Sequence, residues 1–276
     1  MFFKFISGFL LILICIALQS CASGLKHTHR VLADAHHKGF KQEILSTSKF
    51  KLTTLHRITE KNAPLVVYLE GDGHSQSKKY RLSKDPTPHQ PLALELALLD
   101  PRPNVIYIAR PCQYSIAEDA ECNAMYWSTH KFAPEVINST QEVINHFRSL
   151  HENKKIELVG FSGGGGLAVM IAAQDPRIIN VTTIAGDLDI ELMQKHHNTT
   201  PLTGSKNPKR VATSINKIPQ RHFIGKKDVV VPLAVAESFV HQVGACAKII
   251  ALPKFEHHKG WKEAWPFLLT EPFPCG

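Results

Sequence analysis

Glu157-Leu158-Val159-Gly160-Phe161-Ser162-Gly163-Gly164-Gly165-Gly166-Leu167-Ala168-Val169-Met170 decides how this chain folds. The apolar run that begins at Ile156 reads as a buried strand, and the Leu-Ala-Val-Met run after the glycines reads as a helix. A serine held between them in the pattern Gly-x-Ser-x-Gly is a nucleophile elbow. The spacing has a steric cause. The turn is so tight that strand and helix come into contact, and only small neighbours, here Gly160 and Gly164, leave room. The unpaired N–H groups and partial positive charge of the helix start then lie beneath Ser162, where an oxyanion would develop. A phosphate-binding loop fits poorly, because no Gly-Lys-Ser/Thr follows and the G-x-G-x-x-G spacing is not met.

The same alternation extends in both directions. Residues 65–69, 105–109, 181–185, 220–225 and 248–252 read as strands, the first two being short continuous apolar runs. Residues 92–99, 134–151, 233–243 and 261–269 read as helices between or after them. Strand–helix alternation predicts an α/β fold, with a mostly parallel, doubly wound sheet flanked by helices. Residues 40–58 predict one or two edge strands, and residues 191–219 a loop or small cap. A length of 276 residues suits a single domain here, spanning residues 40–276.

In such a sheet reactive groups gather where strands end and helices begin. A serine hydroxyl needs a base, and the base needs a carboxylate that fixes its tautomer. The expected chain order is serine, acid, histidine. Downstream of Ser162, Asp228 follows the 220–225 strand in Gly225-Lys226-Lys227-Asp228-Val229-Val230-Val231-Pro232. His257 follows the next strand in Phe255-Glu256-His257-His258-Lys259-Gly260-Trp261. Asp187, just past the 181–185 strand, is the alternative acid, and His258 the alternative base. An oxyanion hole would take the backbone N–H of Gly163 and that of Asp72, in the Glu70-Gly71-Asp72 turn after the 65–69 strand. The Asp72 side chain is expected to bond back into its own turn. Tyr126, Trp127, His130 and His74 are candidates for the cleft wall, with core or surface packing as the alternative.

The formal net charge is +8, without a long basic run or a basic stripe interleaved with aromatics, so the sequence argues against a nucleic-acid partner. The first twenty residues carry one charge, Lys4, ahead of an apolar run from Phe5 to Leu18 that is short for a membrane span. Leu18-Gln19-Ser20-Cys21 resembles a bacterial lipobox, in which Cys21 takes the lipid and becomes the first mature residue. An ordinary secretory signal is the alternative. The expectation is an exported lipoprotein held to a membrane through Cys21, at the periplasmic face or the outer membrane, with residues 21–39 as a tether. His27-Thr28-His29 lacks carboxylate or cysteine company, and neither a metal nor an organic cofactor is expected. In an export setting Cys112, Cys122, Cys246 and Cys275 can form disulfides. Three pairings are possible, and the short interval favours Cys112–Cys122, which leaves Cys246 with Cys275.

With these residues assembled, the chain resembles a bacterial α/β-hydrolase family of secreted or lipid-anchored proteins, over nearly all of its length after Phe50. The resemblance rests on Tyr68-Leu69-Glu70-Gly71-Asp72-Gly73, Asp85-Pro86-Thr87-Pro88 and Ala109-Arg110-Pro111-Cys112-Gln113-Tyr114. It continues through Gly160-Phe161-Ser162-Gly163-Gly164-Gly165, Leu188-Asp189 and His257-x-x-Gly260-Trp261. It implies Ser162 as nucleophile, Asp228 as acid and His257, four residues before the tryptophan, as base. The expected activity is cleavage of carboxylic esters, of small molecules or lipids, through an acyl-enzyme. Amide cleavage, acyl transfer and a non-catalytic envelope-binding role are the alternatives. Oligomeric state leaves no sign in the sequence.

Overall fold

The computed structural model describes residues 26–78, 81–152 and 155–275. Eight strands form one sheet: β1 (Lys41–Ser46), β2 (Lys51–Ile58), β3 (Leu65–Leu69), β6 (Asn104–Ile108), β7 (Ile156–Phe161), β8 (Ile178–Ile184), β9 (Gln220–Gly225) and β10 (Ala247–Leu252). Their order is β1-β2-β6-β3-β7-β8-β9-β10. The six from β6 to β10 run parallel, and the β1–β2 hairpin joins at one end through an antiparallel β2–β6 pairing. A two-stranded hairpin, β4 (Gln76–Lys78) with β5 (Arg81–Leu82), projects from the loop after β3.

The side-chain alternation of the central strands divides the core in two. Leu65, Val67 and Leu69 face one layer and Val66 and Tyr68 the other; Ile106 and Ile108 oppose Val105 and Tyr107 in the same way. Helices α3 (Pro134–His151), α4 (Gly163–Ala172) and α6 (Leu233–Val243) cover the first layer. Helices α2 (Leu92–Ala97) and α7 (Trp261–Leu268) cover the second. With both faces covered, β3 and β6 are buried at every position, which explains their unbroken apolar runs. The segment read as a loop or cap contains helix α5 (Ile190–His197) and a 3-10 stretch, Pro208–Ile215.

The expected tether is corrected from residue 26 onward. Residues 26–37 form a helix, α1, that belongs to the domain. Thr28, Val31, Leu32 and Ala35 fall at i, i+3, i+4 and i+7; Val31 and Ala35 are buried in the second layer with Leu32 against them. The Thr28 hydroxyl donates to the Pro88 carbonyl at 2.7 Å. The expected leader, with Cys15, and the expected lipid-bearing Cys21 lie outside the described residues. Cys112 is joined to Cys122 and Cys246 to Cys275, the pairs that the intervals favour. Among the described residues no helix is long and apolar enough to cross a membrane.

Candidate active site

Ser162 stands between β7 and α4 at φ 52° and ψ −120°. A non-glycine residue held there costs roughly 1–3 kcal/mol, which the surrounding bonds must offset. Ser162 N–H donates to the Ile184 carbonyl, and its own carbonyl accepts the N–H groups of Gly165 and Asp187, each at 2.9 Å. The glycines do what the sequence requires of them. A Cβ on Gly160 would stand 2.2 Å from the Gly164 carbonyl oxygen, and one on Gly164 would stand 2.1 Å from that of Leu69. Both are backbone atoms and neither could yield.

Two donors flank the serine. Among the described residues neither the Gly163 N–H nor the Asp72 N–H has an acceptor within the protein. The residues that carry them pack closely: a Cβ on Gly163 would meet the Asp72 carboxylate at 2.1 Å, and one on Gly71 would lie 3.2 Å from the Ser162 Cβ. Ser162 Oγ has no hydrogen-bond partner among the described residues.

Of the candidate acids and bases, the structure brings Asp228 and His257 together. His257 Nδ1 lies 2.8 Å from Asp228 Oδ2, and the other carboxylate oxygen accepts the N–H groups of Val230 at 2.7 Å and Val231 at 2.9 Å. The His257 ring packs on Phe161, the residue before the serine, with centroids 5.0 Å apart. Trp261 explains the four-residue spacing. Its indole N–H reaches the carbonyls of Glu256 and His257, which pins the histidine loop to the start of α7. His258 is exposed and packs edge-on against Phe161, making no bond to Asp228 among the described residues.

Asp187 has another partner. Lys131 Nζ binds Asp187 Oδ2 at 2.6 Å and Asp72 Oδ2 at 2.7 Å, with Arg110 Nη1 3.5 Å from Asp72 Oδ1. The Asp72 side chain therefore binds across the cleft base to these cations, and the expectation that it bonds into its own turn is corrected. Burial opposes the charge on Lys131, but Asp187 and Asp72 outweigh it and hold the ammonium well above the ordinary lysine range. Burial likewise opposes the Asp72 charge, and Lys131 and Arg110 overcome it, so its pKa stays below the usual carboxylate value. Lys131 thus ties the loop that carries the Asp72 N–H to the loop whose Asp187 N–H holds the Ser162 carbonyl. No sequence signal marks Lys131, because one lysine in a polar loop has no pattern.

The remaining motif residues support these loops. Gln113 accepts from the Arg110 N–H and donates to the Gly71 carbonyl at 2.9 Å, which fixes the turn before Asp72. Thr87 Oγ1 accepts the Tyr114 N–H, and the Pro86 carbonyl accepts that of His74. Asp189 caps α5 and accepts from Ser238 at 2.6 Å. The proposed wall residues are engaged elsewhere. Trp127 is buried and donates to the Ser83 carbonyl, Tyr126 stacks edge-on to Phe50, His130 bonds to Thr129, and His74 stacks on His89.

Glu70 is fully buried beneath the turn. Burial pushes its carboxyl up to about 7, against the N–H groups of Gly71 and Ala93 and the Tyr107 hydroxyl, which favour the ionised form. A raised folded pKa means that the folded state keeps a proton the unfolded chain has released, so stability falls as pH rises from about 4.5 to about 7. Glu70→Gln is expected to remove that slope. Relative to wild type the variant gains at most about 3 kcal/mol across this window, read from guanidinium unfolding at its two ends.

Comparison with solved structures places the fold. Est1E from Butyrivibrio proteoclasticus superposes with a TM-score of 0.56 at 15% identity, over 83% of this chain and 97% of that one. A membrane phospholipase A, described as a bacterial virulence factor, superposes with a TM-score of 0.55 at 14% identity over 96% of both chains. This is the α/β-hydrolase fold. An acylaminoacyl peptidase from Pyrococcus horikoshii shares it with a TM-score of 0.59 at 12% identity, over 83% of this chain and 40% of that longer one. No family model matches the sequence, and no curated protein matches it. In the α/β-hydrolase fold of this chain Ser162, Asp228 and His257 all follow parallel strands, at the carboxyl edge of β7, β9 and β10.

Proposed function

We propose that this protein is a serine hydrolase that cleaves carboxylic esters at the bacterial envelope, held there by a lipid on Cys21. One observation carries the reading: a serine hydroxyl without a hydrogen-bond partner on a positive-φ elbow, next in the chain to Phe161, against which packs a histidine already bonded to a buried carboxylate. In this reaction Ser162 Oγ attacks the ester carbonyl while His257 Nε2 takes its proton. The N–H groups of Gly163 and Asp72 stabilise the tetrahedral oxyanion. The imidazolium then protonates the departing alcohol, leaving an acyl-enzyme. His257 next removes a proton from water, whose attack on the acyl carbon releases the acid and restores Ser162. Asp228 holds the imidazole with its proton on Nδ1 and stabilises the cation during both steps.

The test is labelling of the protein with a fluorophosphonate, beside Ser162→Ala. The wild type is expected to label and the variant to lose labelling completely, after which p-nitrophenyl esters of graded chain length report acyl preference. A folded wild type that never labels would overturn the reading in favour of the envelope-binding alternative.

A further inference from the structure

The edge of the domain that carries Ser162, Asp228 and His257 also carries an unusual pairing of apolar and basic side chains. Val229 is 80% exposed and Val230 41%, on the loop directly after Asp228, and the exposed Lys226 and Lys227 precede them. Across the same edge, Leu82 at the end of β5 is 39% exposed, with the exposed Arg81 and Lys84 on either side of it in the chain. The histidine loop adds exposed Lys254 and Lys259, the latter paired with Glu256 at 2.9 Å. Exposed apolar side chains ringed by cations, at one rim, fit a surface that offers both hydrocarbon and negative charge.

The amino-terminal end of α1 lies at this same edge. Thr28 binds the Pro88 carbonyl in the loop after β3. His27 and Lys262 both reach Glu95 Oε1, at 3.2 and 3.1 Å, and Lys262 follows the histidine loop directly at the start of α7. Because α1 is part of the domain, only four residues lie between Cys21 and Lys26, a span of at most about 18 Å. A lipid on Cys21 would hold this edge, and not the opposite one, near the bilayer.

We propose that the active-site edge docks on an anionic phospholipid bilayer. Val229, Val230 and Leu82 enter the headgroup boundary, the flanking lysines and arginine meet lipid phosphates, and the site draws its ester from that layer. The substrate class is then an acyl ester of a membrane lipid. This rests on the hydrolase reading and on the anchor at Cys21.

The test uses the full chain reconstituted into vesicles of brominated phosphatidylcholine, with and without phosphatidylglycerol. The native Trp127, Trp261 and Trp265 are buried, so an added surface tryptophan reports its own contact with brominated chains. Val229→Trp is expected to lose most of its added emission, more so with phosphatidylglycerol. Leu150→Trp, at the end of α3 on the opposite edge, is expected to lose none. Adding Lys226→Gln and Lys227→Gln should reverse the gain due to phosphatidylglycerol, as should high salt. Leu82→Trp serves as a second reporter if Val229→Trp does not fold. Quenching at Val229 or Leu82 no greater than at Leu150 would overturn the docking. Fluorophosphonate labelling of the same samples separates the two ideas: labelled but unquenched protein rejects docking alone, and quenched but unlabelled protein rejects the hydrolase alone.

Discussion

Asp228→Asn slows fluorophosphonate labelling of Ser162 about ten-thousandfold while the fold persists. The size of the effect comes from the acid loop. One carboxylate oxygen of Asp228 accepts the N–H groups of Val230 and Val231, and the other faces His257 Nδ1. An asparagine must keep its carbonyl oxygen toward the two backbone donors, since turning its NH2 group there would set donors against donors. The NH2 group then faces Nδ1, and the imidazole has to accept at Nδ1 and carry its proton on Nε2. That tautomer has no lone pair directed at the serine proton. Volume and backbone bonds are preserved, so the thermal midpoint should move little. The measurement is the second-order labelling rate beside a melt. A loss below tenfold at unchanged stability would return the role of the acid to Asp187.

Lys131→Met destabilises the folded protein by about 3–5 kcal/mol at neutral pH. The ammonium bridges Asp72 and Asp187 at 2.7 and 2.6 Å, with 14% of the lysine side chain exposed and 3% of that of Asp187. Methionine retains most of the volume but leaves two carboxylates at the cleft base with Arg110 as the remaining cation. The sign with pH follows from the carboxylates. In the wild type Asp72 has a folded pKa below its ordinary value, so the stability it contributes is present above that value and is lost as pH falls through the folded pKa. In the variant Asp72 loses the ammonium that opposed its burial, and the deficit shrinks as pH falls toward the ordinary carboxylate range. Guanidinium midpoints at neutral and acid pH check both points, and adding Asp187→Asn should recover part of the loss. An equal deficit at both pH values would show that packing, and not charge, is what Lys131 supplies. Labelling should also slow in the folded fraction, because the Asp72 N–H moves with its loop.

The sequence alone determined the sheet, the elbow and the order of the reactive residues, because each rests on local chemistry. Apolar runs of β3, β6 and β7 reflect burial on both faces. Gly160 and Gly164 reflect clashes with backbone a few residues away or on the neighbouring strand. The spacing from His257 to Trp261 reflects one indole bonding the carbonyl of the histidine loop. Tertiary structure alone sets Asp228 against His257 and Asp187 against Lys131, because both acids follow strands and their partners lie far off in the chain. It turns His257, and not His258, toward Asp228, since adjacent residues cannot share one direction. It also turned residues 26–37 of an expected tether into α1, whose apolar stripe is short and is buried only among second-layer residues brought from elsewhere in the chain. Local patterns record what a residue's near neighbours demand; pairings across tens of residues, such as Lys131 with Asp72, exist only once the strands have been brought side by side.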